Sequence, residues 1–259
     1  MKTEKTTESP LTPQDVRRIL KACAPDALLV GGQALAFWAD FLAIGLPADL
    51  ESGVTSDADF IGNAALARHV GEALGWKTWI PRPDDSTPQT GKVTRELADG
   101  SVKQVDFLAQ VIGLSTPAIQ RRAIELEVPE IGTLRIMHPL DVLDSRIQNL
   151  HRLPSKRNAA GIAQARLAID MVRAFIRSEL MQFGERAALK LLERIVRIGA
   201  SAAGRHVFLR HDIDPLTAVP LDAFRTSTAL HQRRWPQVQR DIARQRESLR
   251  KNLARRRRD

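Results

Sequence analysis

The sequence predicts an α+β fold, with a mixed β-sheet core flanked by helices and a helical C-terminal domain behind it. Up to about residue 137, short apolar runs typical of strands alternate with helical segments. Two pairs of these runs are joined by turn residues, as in β-hairpins. From His138 onward the apolar spacing is helical only. This order favours one mixed domain followed by helices.

The 259-residue chain is long enough to bury such a core. We expect four segments: a disordered polar N-terminus (1–10), an α/β domain (11–137), a helical domain (138–204) and a basic helical segment (205–259).

The α/β domain begins with a helix, because Thr12-Pro13 supplies an N-cap and a proline at the first helical position. A buried strand over Ala27–Val30 then breaks at Gly31-Gly32, which allows a sharp turn. An apolar, buried helix follows from Gln33 to about Ile44. The remaining elements are a strand (Asp57–Ile61), a helix capped by Asn63, a short strand (Trp76–Ile80), a hairpin (Lys92–Leu97 with Val102–Val111), a short helix from Thr116, and a second hairpin (Ile124–Val128 with Thr133–Met137).

The C-terminal part is predicted to be helical. Three helices are expected first, over Pro139–Leu150, Ala159–Leu180 and Glu185–Ala200. Residues 201–220 are expected to be irregular, and a long charged helix is expected over Leu221–Arg258.

Positive charge is concentrated at the C-terminus. Residues 205–259 hold 14 Lys+Arg and 6 Asp+Glu, a net of +8 out of +9 for the whole chain. Such a segment is typical of proteins that bind an acidic partner, above all nucleic acid. A solvated helix that ends in a frayed tail would give the same pattern, so both interpretations stay open.

A cytoplasmic protein without a membrane partner is the expectation. No apolar run reaches the roughly 18 residues of a membrane span, and the N-terminus lacks the apolar stretch of a signal peptide. The single cysteine, Cys23, excludes an internal disulfide and is expected to be a small buried residue.

Three aspartates predict metal-dependent chemistry. Asp57 and Asp59 stand two residues apart at the start of a strand, so their side chains leave the same face. Asp106 interrupts another apolar strand, which is costly unless it is paired or binds a cation. If the two strands are neighbours, the three carboxylates converge and suit Mg²⁺ with substrate phosphates.

Gly31-Gly32, at the head of a helix, would offer N–H groups to those phosphates, and the combination fits phosphoryl or nucleotidyl transfer. Other roles are open for each part. Asp57 and Asp59 suit a turn at a strand end, Gly31-Gly32 suits an ordinary tight turn, and Asp106 could pair with a core arginine.

The segments Leu29–Leu35, Thr55–Phe60 and Val105–Leu108 resemble the polymerase-β-type nucleotidyltransferase superfamily. The nearest resemblance is to its AbiEii-like branch of minimal bacterial nucleotidyltransferases, some of which are toxins of toxin–antitoxin systems. It covers about residues 11–150. It implies a nucleotidyltransferase-like core that moves a nucleoside monophosphate from an NTP, such as ATP, to a hydroxyl, with two Mg²⁺ ions when the NTP is bound.

The resemblance also implies residue roles. Asp57 and Asp59 would hold metal and triphosphate, and Asp106 would complete the second metal site and help to deprotonate the acceptor. The nucleotide-binding set carried over is Gly31, Gly32, Gln33, Ser56, Lys103 and Arg146, with Lys156 and Arg157 as further cations for the triphosphate.

The sequence departs from the family pattern at three positions. Gln33 stands where a Ser or Thr is frequent, Gly53 where a basic residue is frequent, and Arg146 where a lysine is frequent.

Three functions follow from these patterns. The first is a Mg²⁺-dependent nucleotidyltransferase whose acceptor is a tRNA-like RNA bound by residues 205–259, with a toxin role and a cognate antitoxin as one form of it. The alternative is a catalytically weak module of the same fold that binds partners through its Arg-rich C-terminus. The third is a nucleotidyltransferase that modifies a small molecule.

Overall fold

The computed structural model describes residues 8–50 and 54–255. They form two compact units. The first holds the described residues of Met1–Asp40 and Leu50–Ser145, and the second holds those of Phe41–Asp49 and Arg146–Asp259. The architecture is α+β, as the sequence predicts.

A seven-stranded mixed sheet forms the core of the first unit. Its order is β3-β4-β5-β2-β1-β7-β6. The β2/β5 and β1/β7 pairs are parallel and the other neighbours are antiparallel. The strands are β1 (Leu28–Val30), β2 (Ala58–Ile61), β3 (Lys77–Trp79), β4 (Gln89–Glu96), β5 (Val102–Leu108), β6 (Ile124–Val128) and β7 (Gly132–Ile136).

The helices of this part begin and end at the residues that cap them. Thr12 and Asp15 form a capping box at the start of α1, and the Asn63 side chain caps α3. Gly75 ends α3 in the left-handed conformation that glycine adopts without strain. The helices are α1 (Pro13–Cys23), α2 (Gly31–Phe41), α3 (Ala64–Leu74), α4 (Thr116–Arg122) and α5 (Pro139–Arg152), which crosses the boundary between the two units.

The two faces of the sheet differ in character. Phe60, Val105 and Phe107 are fully buried on one face, where the two phenyl rings stack with their centroids 5.9 Å apart. Gly91 of β4 lies on the same face and lets Ala67 of α3 approach closely. Because side chains alternate along a strand, Asp59 and Asp106 leave the opposite face.

Four α-helices and a π-helical turn of the second unit, besides short 3₁₀ turns, are described after α5. Asn158 caps α6 and Ser201 caps α8, each through its side chain. The segments are α6 (Ala159–Phe183), α7 (Glu185–Ala200), α8 (Ala202–His211), a π-helical turn (Leu230–Arg234) and α9 (Trp235–Arg255). Within the described chain, no helix has both the length and the apolar character needed to cross a membrane.

Two sequence predictions for this region were wrong. Residues 201–220 include α8, which Ser201 caps and which buries Ala203 and Val207. The prediction missed this helix because basic residues stand between its few apolar positions. The terminal helix starts at Trp235 instead of Leu221, after the π-helical turn. Pro236 has no N–H, so a regular α-helical hydrogen-bond ladder cannot run through this position. Residues 256–258 of the predicted helix lie outside the described residues.

Residues 146–204 and the described residues of 205–259 belong to one unit in the structure, whereas residues 138–145 belong to the first unit. Side chains of α6 join the two segments: Arg173 donates to the Thr217 carbonyl at 3.1 and 2.7 Å, and Arg177 Nη2 donates to both carboxylate oxygens of Asp222 at 2.9 and 2.7 Å. Within the later segment, a largely buried ion pair holds α9 in place, because Arg246 donates to both carboxylate oxygens of Asp214 at 2.8 and 2.5 Å.

The predicted disordered terminus, 1–10, is described only from Glu8. Glu8 forms an isolated parallel bridge with Val102, and the Ser9 N–H donates to the Val102 carbonyl at 2.9 Å. These last residues before α1 are therefore ordered against β5.

A second buried ion pair joins α1 to the sheet. Lys103 Nζ lies 2.5 Å from Asp15 Oδ2, and both side chains are about one-tenth exposed or less. Burial alone would raise the pKa of Asp15, but hydrogen bonds from Lys103 and Thr12 outweigh it and lower the pKa to about 2. The ionised pair therefore stabilises the fold above the ordinary aspartate pKa, and this contribution is lost as the pH falls toward 2.

We expect Lys103→Met to lower the free energy of unfolding at pH 7 by about 3 kcal/mol, because Asp15 would be left buried without its cation. The loss should shrink at pH 3, where the unpaired Asp15 of the variant is protonated. Urea unfolding at both pH values measures it. Lys77→Met is the matched control, since that lysine is 82% exposed and its pairing with Glu96 should contribute less than about 1 kcal/mol. Equal small losses in both variants would contradict this account.

Candidate metal centre

Three aspartates come together at the centre of the sheet. β2 and β5 are parallel neighbours, and Asp59 stands directly opposite Asp106 in their register. Asp57 precedes Asp59 by two residues on the same face. One carboxylate oxygen from each of the three lies within 4.8 Å of the others. The strands are thus neighbours, as convergence of the three carboxylates requires.

The glycine turn lies against this cluster. Val30 at the end of β1 pairs with Asp59, and α2 begins at the next residue, Gly31. Gly31 has φ +68°, and a Cβ there would be 2.1 Å from Asp59 Oδ2. A Cβ at Gly32 would be 2.5 Å from Thr55 Cβ. Both glycines are therefore required by close approach, which the interpretation as an ordinary tight turn does not explain.

Asp106 is held by polar side chains from two strands. Gln89 Nε2 donates to its Oδ1 at 2.7 Å, and Gln104 Nε2 donates to its Oδ2 at 2.6 Å. Lys92 Nζ lies 3.9 Å from Oδ1. The residue is only 6% exposed. The sequence analysis left open that Asp106 pairs with a core arginine. The cation beside it is instead Lys92 of β4.

Burial raises the pKa of Asp106. Lys92 and Gln104 lower it and the charge of Asp57 raises it further, and the net direction is upward. The ionised carboxylate is therefore destabilised by its surroundings. A bound cation would relieve that cost.

The other residues near the cluster are engaged locally. The Thr55 hydroxyl donates a short hydrogen bond to Asp57 Oδ1. The Ser56 hydroxyl donates to Glu8 Oε2 at 3.0 Å on the exposed surface.

Two predicted nucleotide ligands lie on the opposite face of the sheet. Lys103 pairs with Asp15, as described above. Gln33 borders a cavity of about 230 Å³ together with Leu29 and Ala58, whose side chains leave the face opposite to Asp59. The structure therefore does not bring Lys103 or Gln33 to the aspartates.

The remaining predicted cations belong to the second unit. Arg146 is buried there and donates to Gln164 Oε1 at 3.0 Å. Arg157 donates to the carbonyls of Leu150 and His151, and Lys156 ends a short 3₁₀ turn. Their roles toward a nucleotide stay predictions. Gly53 lies outside the described residues.

Sequence reasoning missed Lys92, Gln89 and Gln104. A signal for two of them was available. Gln104 stands two residues before Asp106 on the same strand face. Counting across the hairpin turn at Asp99 places Lys92 opposite Asp106, which is the observed register. Gln89 lies beyond a register shift in β4, so counting could not have found it.

The donor set fits Mg²⁺. Three carboxylates offer the hard oxygen ligands that this ion prefers, and Mg–O distances near 2.1 Å put two ligands of one ion at most about 4.2 Å apart. Neighbouring ligands of an octahedral ion at that bond length lie about 3 Å apart, so the three oxygens, all within 4.8 Å of one another, would need to come closer by up to about 2 Å to share one ion. Each oxygen of Asp106 that accepts a hydrogen bond keeps a second lone pair for a metal.

The chain matches no protein-family model and no curated protein. Among solved structures it is similar to the crystal structure of JHP933 from Helicobacter pylori, at 12% sequence identity and a TM-score of 0.36. The match covers 94% of this chain and 99% of that one.

Gly31→Ala should lower the free energy of unfolding by about 2 kcal/mol or more, because it adds both a clash with Asp59 and a left-handed alanine. Gly75→Ala separates the two effects. Gly75 has the same φ of +68° but nothing within 4 Å of an added Cβ, so only the backbone strain of about 1 kcal/mol applies. Thermal or urea unfolding that ranks the two variants equally would show that Gly31 is not pressed against the cluster.

Asp106→Asn should raise the melting temperature at pH 7 in EDTA. Folding raises the pKa of Asp106, so its contribution to stability is present below the ordinary aspartate pKa and is lost as the pH rises through the folded pKa. Removing the charge removes that cost, and a half-turn of the Gln104 amide would present its oxygen to the NH₂ of the new side chain. Asp99→Asn is the control of opposite sign, because hydrogen bonds from Ser101 lower the pKa of that exposed turn residue. A lower melting temperature for Asp106→Asn would contradict the burial argument.

Proposed function

We propose that this protein is a Mg²⁺-dependent nucleotidyltransferase that moves a nucleoside monophosphate from an NTP to a hydroxyl of an RNA acceptor. The observation that carries the proposal is the convergence of Asp57, Asp59 and Asp106 beside the backbone of Gly31. A glycine turn, a helix start and three carboxylates on adjacent strands fit phosphoryl chemistry together, and their order along the chain resembles the polymerase-β-type superfamily.

The electrostatics require a cation between protein and substrate. Three carboxylates within 4.8 Å would repel a triphosphate. Bound Mg²⁺ would neutralise that charge and polarise the phosphoryl group. Asp57 and Asp59 would hold the metal, and Asp106 would complete the site.

Asp106 is also the best candidate for the base. It lies beside the other two aspartates and keeps a lone pair on each oxygen that accepts a hydrogen bond, so it could accept the proton of an attacking hydroxyl held at the site. Lys92 and Gln104 hold the side chain in place through contacts that do not use up its lone pairs.

The glycine turn would serve the phosphates. Gly31 and Gly32 are the first residues of α2, whose N-terminal N–H groups carry partial positive charge. Neither glycine has a side chain that would keep a phosphate away. This is the ordinary arrangement for anion binding at a helix start.

The C-terminal segment supports an RNA acceptor. α9 exposes Arg240, Arg244 and Arg250 among other basic side chains. Trp235 is only 6% exposed, so it anchors α9 in the second unit and is not available to stack on a base. A toxin role with a cognate antitoxin is the form of this proposal that the family resemblance adds.

A second candidate is a binding module of the same fold with weak catalysis. One observation favours it: Lys92, Gln89 and Gln104 already satisfy much of the hydrogen-bonding and charge requirement of Asp106 without a metal. Such a module would bind its partner through the basic C-terminal segment even after loss of the three aspartates, and its binding would weaken steeply with salt.

The test is incubation with each labelled NTP, Mg²⁺ and total RNA. Asp57→Ala and Asp106→Ala should each reduce label transfer by at least about 100-fold, the scale for losing an electrostatic group at a reacting centre. Asp84→Asn, an exposed aspartate of the loop before β4, is the control and should transfer label normally. Transfer that survives in either aspartate variant would exclude the proposed mechanism, and RNA binding without any transfer would favour the module.

A further inference from the structure

A second cluster of ionisable side chains lies within the second unit. It comprises three histidines and two arginines: His151 near the end of α5, Arg157 just after it, and His206, Arg210 and His211 on α8. The rings of His151 and His206 have their centroids 5.1 Å apart. His206 and Arg210 are four residues apart and so share one face of α8. We refer to these five residues as the histidine–arginine cluster.

Arg157 is fixed in position by the backbone. Its Nε donates to the Leu150 carbonyl at 2.9 Å and its Nη2 to the His151 carbonyl at 2.6 Å. These carbonyls belong to the last turn of α5, where the helix carries partial negative charge. A cation is thus held rigidly beside His151, while Arg210 is exposed on α8.

The charged groups that act on the three histidines are all basic. Burial lowers the pKa of His151, His206 and His211, and nearby basic groups lower it further. The charged neighbours responsible are the cluster's own members together with Arg152, and each of them is basic. Like charges gathered in this way destabilise one another, and a bound anion would reverse that effect.

Two ring nitrogens of the cluster, His151 Nδ1 and His211 Nε2, are buried and have no hydrogen-bond partner among the described residues. An unpaired buried polar atom costs free energy. A ligand with several acceptor oxygens could accept from the imidazole N–H groups and from Arg210 together.

Two of the five members of the cluster line a cavity of about 730 Å³. Arg210 and His211 line it, with Arg250 of α9 as a further cation and Asp212 as the one acid among the described lining residues. The charged side chains of the cavity are therefore net positive before any histidine is protonated. The volume exceeds that of one phosphate group.

We propose that the histidine–arginine cluster is a phosphate-binding site, occupied by a phosphate group of an RNA chain or by a free phosphate or nucleotide. Phosphate matches the cluster in charge, and its oxygens match the unpaired ring nitrogens and the guanidinium of Arg210. The cluster belongs to the second unit and the aspartates to the first, and phosphate binding at the cluster does not depend on nucleotidyl transfer.

Imidazole NMR of the full-length protein tests this site directly. The chain has six histidines, and only three belong to the cluster. Addition of inorganic phosphate, or of a 20-nucleotide single-stranded RNA, should shift the resonances of His151, His206 and His211 with saturation. His69, an exposed residue of α3 in the first unit, is the internal control and should not move.

Arg210→Gln should weaken binding of the effective probe about tenfold, the scale for one charge-assisted contact to phosphate. Arg186→Gln removes the same charge from an exposed position of α7 in the same unit, outside the cavity and the basic C-terminal segment, and should change the affinity less than about twofold. Saturation by micromolar RNA identifies a nucleic acid as the source of the phosphate. Saturation by phosphate alone, with no added effect of RNA, identifies a free phosphate or nucleotide. If neither probe shifts the three resonances selectively, or if both variants lose affinity equally, the proposal is wrong.

Discussion

The first unit holds three carboxylates close together at the centre of its sheet, where their like charges repel one another. Two strands place Asp59 directly beside Asp106, with Asp57 on the same face, and their carboxylate oxygens lie within 4.8 Å of one another. Mutual repulsion and burial both oppose this arrangement. Hydrophobic packing on the other face offsets the cost, because the stacked rings of Phe60 and Phe107 fix β2 against β5. Polar contacts from Lys92, Gln89 and Gln104 reduce the cost without removing it, since the pKa of Asp106 stays raised.

The backbone around the aspartates is tightly packed against their side chains and that of Thr55. The Gly31 backbone touches the Asp59 side chain so closely that no other residue fits, and the Gly32 backbone meets Thr55 in the same way. On the opposite face the Lys103–Asp15 pair ties α1 to β5. Similar residue types therefore serve different purposes in one unit: Asp15 is fully paired and has a pKa lowered to about 2, whereas Asp106 is only partly compensated. Incomplete compensation is what a cation site requires.

The sequence predicted the parts of this arrangement that depend on short-range patterns. The alternation of strands, the caps at Thr12 and Asn63 and both hairpins are encoded by neighbouring residues, and they are confirmed. The meeting of Asp57, Asp59 and Asp106 required β2 and β5 to be neighbours, which the sequence allowed but could not fix. Lys103 of β5 was assigned to the nucleotide without counting strand faces, and Gln33 of α2 because it follows the two glycines; both lie on the other side of the sheet. α8 was missed because its apolar positions are few and small.

The central claim is that the three aspartates form a metal site and are not merely a strand-end cluster neutralised by Lys92. A crystal structure of the protein grown with Mn²⁺ and a non-hydrolysable NTP, with anomalous data, tests it most directly. The account predicts an anomalous peak bound by carboxylate oxygens of Asp57, Asp59 and Asp106 at about 2.1 to 2.2 Å, with triphosphate oxygens completing its coordination and the backbone of Gly31 and Gly32 beside the phosphates. No anomalous peak at the aspartates under these conditions, with Lys92 Nζ as their only cation, would contradict it.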